Sequence, residues 1–239
     1  MTEEAFWNEM ERRVAKYDLL CHPFYRAWSE GQLTRDDLRE YAADYYHHVA
    51  AFPRYLDALQ SRLPNGELRE AIVGNWEEEM GMSAHEVTAK QGRAHDELWL
   101  QFAEAMGADA AQTHAGQPSD EVCDLIDTFS RYAREGSAAE ALAAFYAYES
   151  QVPRIATEKE RGLRAWYVAG DAACEYFTLH ATADVRHSRV WRYLLDRELA
   201  ANPAQAEPAL AAAENTAQAL WRALDGIEAR RQAAHAHFA

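Results

Sequence analysis

Apolar residues recur along this chain at three- and four-residue intervals, almost never in strict alternation, and turn signals interrupt them at intervals of roughly 15 to 35 residues. That periodicity predicts an all-α protein, a compact bundle of seven to nine helices with no sheet. A first helix is expected from Glu3 to Leu20, stopping before His22-Pro23, and a short one from Phe24 to Glu30, ended by Gly31. Thr34 reads as an N-cap, with Asp36 and Asp37 in the first turn, for a long helix to Arg62 that bends at Pro53. Asn65-Gly66 is a turn before a helix from Glu67 to Met80, loosened by Gly81 and Ser83, and another helical run ends near Gly107. Ala108 to Gln117 reads as a loop, and helices resume at Ser119 and Ser137. Pro153 should interrupt the chain just after Glu149. Helices over Glu158 to Val168, Asp171 to Arg197 and Pro208 to Ala229 complete the set. Arg230 to Ala239 is expected to fray, with His235 and His237 in solvent. With no internal repeat or linker, residues 1–239 are expected to form one domain.

The stripes contain residues that a core does not normally accept. From Asp171 the apolar face runs Tyr176, Leu179, Ala183, Val190, Leu194, and His180, Asp184 and His187 stand on it at steps of four and three. Glu149 lies on the stripe Leu142, Phe145, Val152. Glu78 and His85 are seven apart and share a face if their helix continues through Gly81, which sorts Glu77 and Glu79 to the solvated side. Burying an unpaired carboxylate costs several kcal/mol, which a metal cation would offset. Three carboxylates and three imidazoles without a thiolate suit iron or manganese, and the number suits two ions sharing carboxylates better than one. The alternative is a core whose histidines are satisfied by neighbouring acids. His47 or His48 could support such a site from behind or lie on the surface, and His95 and His114 stand in no ligand pattern.

Composition narrows the partners. The chain of 239 residues is 49% apolar, ample for a core, and its formal charge of -15 argues against nucleic acid or anionic membrane as partners. Cys21, Cys123 and Cys174 are far apart and odd in number, which suggests a reducing, cytoplasmic compartment. A homodimer is a fair default for such a chain.

With these residues in view, the chain resembles the CADD family, the chlamydial protein associating with death domains and its bacterial relatives, within the haem-oxygenase-like di-metal oxidase fold. The resemblance spans roughly Glu4 to Arg230. It rests on HPFYRAW (His22 to Trp28), YAADYYHHVAAFPRY (Tyr41 to Tyr55), the Glu78 and His85 pair, YES (Tyr148 to Ser150) and YFTLHATADVRH (Tyr176 to His187). HPFY is shared loosely with TenA-like and PqqC-like proteins. The resemblance implies O2-dependent production of para-aminobenzoate for folate synthesis, with two transition metals (Fe/Fe or Fe/Mn) and an external reductant. In that family the enzyme's own tyrosine supplies the ring and a lysine the amino group. By motif position these would be Tyr25 and Lys159, with Tyr41, Tyr148 and Tyr176 as redox-active or positioning tyrosines.

The residues are consistent with that chemistry without requiring it. Tyr148 adjoins Glu149, and Tyr176 lies one turn before His180 on the same face. Lysines are few (Lys16, Lys90, Lys159), and Lys159 follows the break at Pro153, yet it also sits in the charge run Glu158-Lys159-Glu160-Arg161 and could be a surface residue. The rival functions are a di-iron oxidase acting on an exogenous small molecule and a non-catalytic module binding a partner through its acidic surface.

Overall fold

In a computed structural model that describes residues 1–82 and 92–236, the chain is helical throughout, with no strand among the described residues. The helices are α1 (Glu3–Ala15), α2 (Pro23–Ser29), α3 (Arg35–Gln60), α4 (Glu67–Glu79), α5 (His95–Met106), α6 (Ala110–Ala115), α7 (Asp120–Glu135), α8 (Ala138–Glu149), α9 (Val152–Trp166), α10 (Asp171–Ala201) and α11 (Ala206–Ala236), with single 3₁₀ turns before α2 and α11. α2 and α6 are short; the other nine make the bundle. α11 packs along α8 and α7, α3 between α5 and α7, and α10 along α9, α8 and α5.

Local chemistry fixes the ends. Thr34 and Asp37 close a reciprocal capping box at the start of α3, and Ser137 and Glu140 do the same for α8. The His-Pro pair caps α2: His22 Nδ1 accepts the Phe24 N–H, leaving Nε2–H to donate to Asp225, while Pro23 takes the first helical position where its missing N–H costs nothing. This α2 cap sets the direction in which Tyr25 enters the core.

Several boundaries differ from expectation. Pro153 does interrupt the chain, but it starts α9 at once, so that helix runs from Val152 rather than Glu158 and carries Lys159 two turns in. Ala108 to Gln117 contains the short α6, capped by the Asp109 carboxylate. The first helix stops at Ala15. α11 continues to Ala236, and His235 reaches the Asp37 carboxylate at 3.0 Å instead of standing free in solvent. His237 lies outside the described residues. Pro53 sits inside α3 without ending it. No described helix is long and apolar enough to cross a membrane.

The core is built on aromatic rings: Trp28, Trp99, Trp191, Tyr41, Tyr55, Phe24, Phe102 and Phe145 are among the fully buried side chains. Each Leu- or Phe-sized side chain contributes about 1.5–3 kcal/mol on burial, a reserve that can carry several uncompensated polar groups. Those groups are gathered between α3, α4, α5, α8 and α10.

Candidate metal centre and tyrosine cluster

Two three-residue groups stand at the middle of the bundle. Glu149, Asp184 and His187 form one and Glu79, His95 and His180 the other, with the potential ligand atoms of each group within 4.8 Å of one another and all six side chains buried. α8 delivers Glu149 in its last turn, and α10 delivers His180, Asp184 and His187 along one face. Glu79 ends α4, and His95 opens α5. The groups share a cavity of about 10 Å³, lined by His48, Phe52, Tyr148 and Tyr176 along with Glu79, Glu149, His180 and Asp184.

Of the six residues expected as ligands, the fold brings Glu149, His180, Asp184 and His187 together and sets Glu78 at their edge. Glu78 Oε2 is 2.7 Å from His187 Nε2, and its carboxylate also receives both terminal nitrogens of Arg186, at 2.8 and 2.5 Å. His85 lies outside the described residues. Two further residues join that sequence reasoning had set aside. Glu79, assigned to the solvated side, is buried 2.9 Å from His95 Nδ1. α4 ends at Glu79, and Gly81 at φ +68 does not continue it; on the helix's own buried stripe, with Ile72 and Asn75, Glu79 is the carboxylate that faces inward. His95 could have been found, because it stands on the apolar stripe Leu98, Trp99, Phe102 at steps of three, four and seven. His48, for which the sequence favoured an intrahelical or surface role over support of the site, is fully buried with Nε2 unpartnered among the described residues.

The electrostatics fit a cation-binding site. Burial drives the Glu149 carboxyl well above its ordinary range even with His187 beside it, and Asp184 pushes it further. Burial works against protonated His187, but Asp184 at 3.1 Å and Glu78 outweigh it and hold both ring nitrogens protonated. Burial would also raise Glu78, yet the hydrogen bonds from His187 and Arg186 bring it to about 2. Buried acids so arranged fit a pair of cations, which would take up these carboxylates and displace a proton from His187. His180 is already set for such a role: its Nδ1–H donates to the Tyr176 carbonyl at 2.8 Å, leaving Nε2 as the free ligand nitrogen. Trp191 donates its indole N–H to Glu149 Oε2 at 2.5 Å.

A second cluster adjoins this one. Lys159 is buried on α9, its Nζ donating to the Tyr41 hydroxyl at 2.5 Å and lying 4.3 Å from the centre of the Tyr25 ring. The Tyr25 and Tyr41 hydroxyls are 3.1 Å apart. Trp28, Tyr45, Trp99 and Phe177 close the remaining sides at 5.5–5.8 Å from the nitrogen. Aromatic faces attract an ammonium, but burial without a carboxylate partner prevails and holds the Lys159 pKa well below the ordinary lysine range. Burial likewise raises Tyr25 and Tyr41, so both are neutral phenols. Tyr176 stacks on His180 at 4.0 Å between ring centres, and Tyr148 lines the same small cavity as Tyr176 and packs on His48. Tyr25, Tyr41 and Lys159 thus form one contact group, which Tyr176 approaches through Trp99 and Tyr148 through His48 and Tyr45.

Known proteins share this arrangement of sequence and fold. A family profile described as iron-containing redox enzyme matches residues 39–221. The 4-aminobenzoate synthase of Chlamydia trachomatis is 36% identical over 93% of this chain and 91% of its own length. That of Nitrosomonas europaea is 35% identical over 95% and 92%. Among solved structures, a TenA homologue from Pseudomonas syringae pv. tomato superposes with a TM-score of 0.79 over 95% of each chain at 14% identity, a likeness of fold.

Proposed function

The chain belongs to the iron-containing redox enzyme family, and from that premise we propose that it makes 4-aminobenzoate in an O2-dependent reaction that consumes its own Tyr25 as ring source and Lys159 as amino donor. The observation that carries this reading is the contact between Lys159 Nζ and the Tyr25 ring, 4.3 Å to its centre, in a site whose adjoining cavity of about 10 Å³ is the size of a single water. The ring is already in place against the amine.

Glu149, Asp184 and His187 would hold one ion, and His180, Glu79 and His95 the other. Glu78, 2.7 Å from His187, is a further donor at the edge of the first group, and six-coordinate ions accept that many. A bound iron pair, or iron with manganese, supplies the electrons that activate O2, with an external reductant renewing them. The protein's side chains do the rest. Tyr41 fixes the amine against Tyr25 through its hydroxyl, and the aromatic enclosure keeps Lys159 neutral, the form in which its nitrogen lone pair can attack. Tyr148 and Tyr176 line the cavity beside the buried acids, and Tyr176 packs on Trp99, whose ring also meets Tyr41.

The reading is tested by supplying purified protein with iron or manganese, reductant and O2 but no organic substrate. At most one 4-aminobenzoate per chain is expected, with loss of mass at Tyr25. Many turnovers, or no product, would contradict it. An oxidase of an external molecule would give no product under these conditions.

A further inference from the structure

One buried imidazole beside the acid and imidazole groups has half of its polarity unused. His48, fully buried on α3, lines the cavity of about 10 Å³ together with Glu79, Glu149, His180 and Asp184, yet belongs to neither three-residue group. Its Nδ1 meets the Tyr55 hydroxyl at 3.5 Å, and Tyr55 is not part of the cavity wall. Its Nε2 has no partner among the described residues. Rings fix this orientation: Phe129, Tyr45 and Tyr148 stand against the imidazole at 5.1–5.3 Å between centres. With the Tyr55 O–H donating to Nδ1, the ring's hydrogen sits on Nε2. A buried N–H without an acceptor carries its full desolvation penalty, and one that faces a polar cavity is a ready contact for a ligand.

We propose that His48 is a positioning residue that donates its Nε2–H to a single oxygen ligand of water or hydroxide size, seated in this cavity against the metal pair. The inference rests on the two ions proposed above, but not on the fate of Tyr25 or Lys159. The cavity has room for one such ligand. Its other polar walls are mostly acceptors. Ionised Glu79, Glu149 and Asp184 have no hydrogen to donate, and the Nδ1–H of His180 is already spent on the Tyr176 carbonyl. Tyr148 and Tyr176 add hydroxyls, which rotate and can accept as readily as donate. His48 brings a donor whose direction is set by the rings around it. Such a donor stabilises negative charge on the ligand and fixes where the ligand sits.

Fluoride is the probe, because it matches hydroxide in size and only accepts hydrogen bonds. Full-length protein is loaded with iron under argon, oxidised with ferricyanide and titrated with fluoride, followed by near-ultraviolet absorption. Wild type is run beside His48→Leu, which fills the space without a donor, and His48→Gln, which returns an N–H close to the place of Nε2. All three should hold the same iron content. Fluoride should bind His48→Leu about tenfold or more weakly, and His48→Gln within about threefold of wild type. Equal affinity in wild type and His48→Leu would overturn the assignment, as would iron-loaded wild type that binds no fluoride. Equal weakening in both variants would show packing instead of donation, and loss of iron from His48→Leu would make His48 a ligand; either also overturns it. Wild type that takes up no iron removes the metal pair and this inference with it. Wild type that shows the fluoride pattern but forms no 4-aminobenzoate removes the proposed function and leaves the His48 assignment standing. Should His48→Leu misfold, His48→Met, an adaptable filler of similar size, replaces it in the comparison.

Discussion

Lys159 Nζ donates to the Tyr41 hydroxyl at 2.5 Å with no carboxylate among the causes of its lowered pKa, so the amine is held by aromatic rings and a phenol instead of a counter-ion. This has a consequence for stability. Folding takes Lys159 from water, where it titrates near 10.4, to a site where it titrates lower; between those two points the unfolded chain binds a proton that the folded one does not. Stability from this group is therefore fully present above the unfolded pKa and is lost as pH falls toward the folded one. Lys159→Met should melt higher than wild type at pH 7, by about 2–4 °C for each kcal/mol of desolvation removed, and the difference should shrink toward pH 10. Thermal melts at the two pH values check it; a gap that is constant with pH would show that Lys159 is solvated.

Trp191 holds one oxygen of Glu149 at 2.5 Å and thereby turns the carboxylate toward Asp184 and His187. Trp191→Phe keeps the ring buried and removes the donor. Affinity for iron or manganese, read by competition with a chelator, should fall by about 10- to 100-fold. An unchanged affinity would mean that the indole serves packing alone.

His95 supplies the only imidazole besides His180 in its three-residue group. His95→Ala should reduce bound metal from two ions per chain toward one and weaken the remaining affinity by about tenfold, while Glu79 is left buried without its 2.9 Å partner. Elemental analysis with circular dichroism decides: two ions bound in a well-folded variant would remove His95 from the ligand set.

The sequence made the candidate ligands on α10 legible because a regular helix preserves phase over long distances: His180, Asp184 and His187 share a face whatever the rest of the chain does. The same rule failed at α4, since helical phase means nothing past Gly81 and its left-handed backbone. Capping residues marked α3 and α8 well, as Thr34 and Ser137 act on their own helices alone. What periodicity could not supply was proximity between helices. Lys159 stands in a run of charges that looks solvated, and its burial against Tyr25 depends on α9 starting at Val152 and packing on α2, a tertiary fact. Family resemblance, not spacing, pointed to that lysine. His48 was hidden for a related reason: in a stripe rich in buried aromatics, nothing local separates a residue that only packs from one that lines the site.

The central claim is that the product's ring comes out of the protein chain. Protein grown with ring-¹³C₆ tyrosine, loaded with metal and given reductant and O2 in unlabelled buffer, should release ¹³C₆-labelled 4-aminobenzoate and show fragmentation at position 25 in peptide mass spectra. Tyr25→Phe should bind metal normally and release none, and His180→Ala should lose metal and product together. Unlabelled 4-aminobenzoate, or labelled product from Tyr25→Phe, would contradict the account.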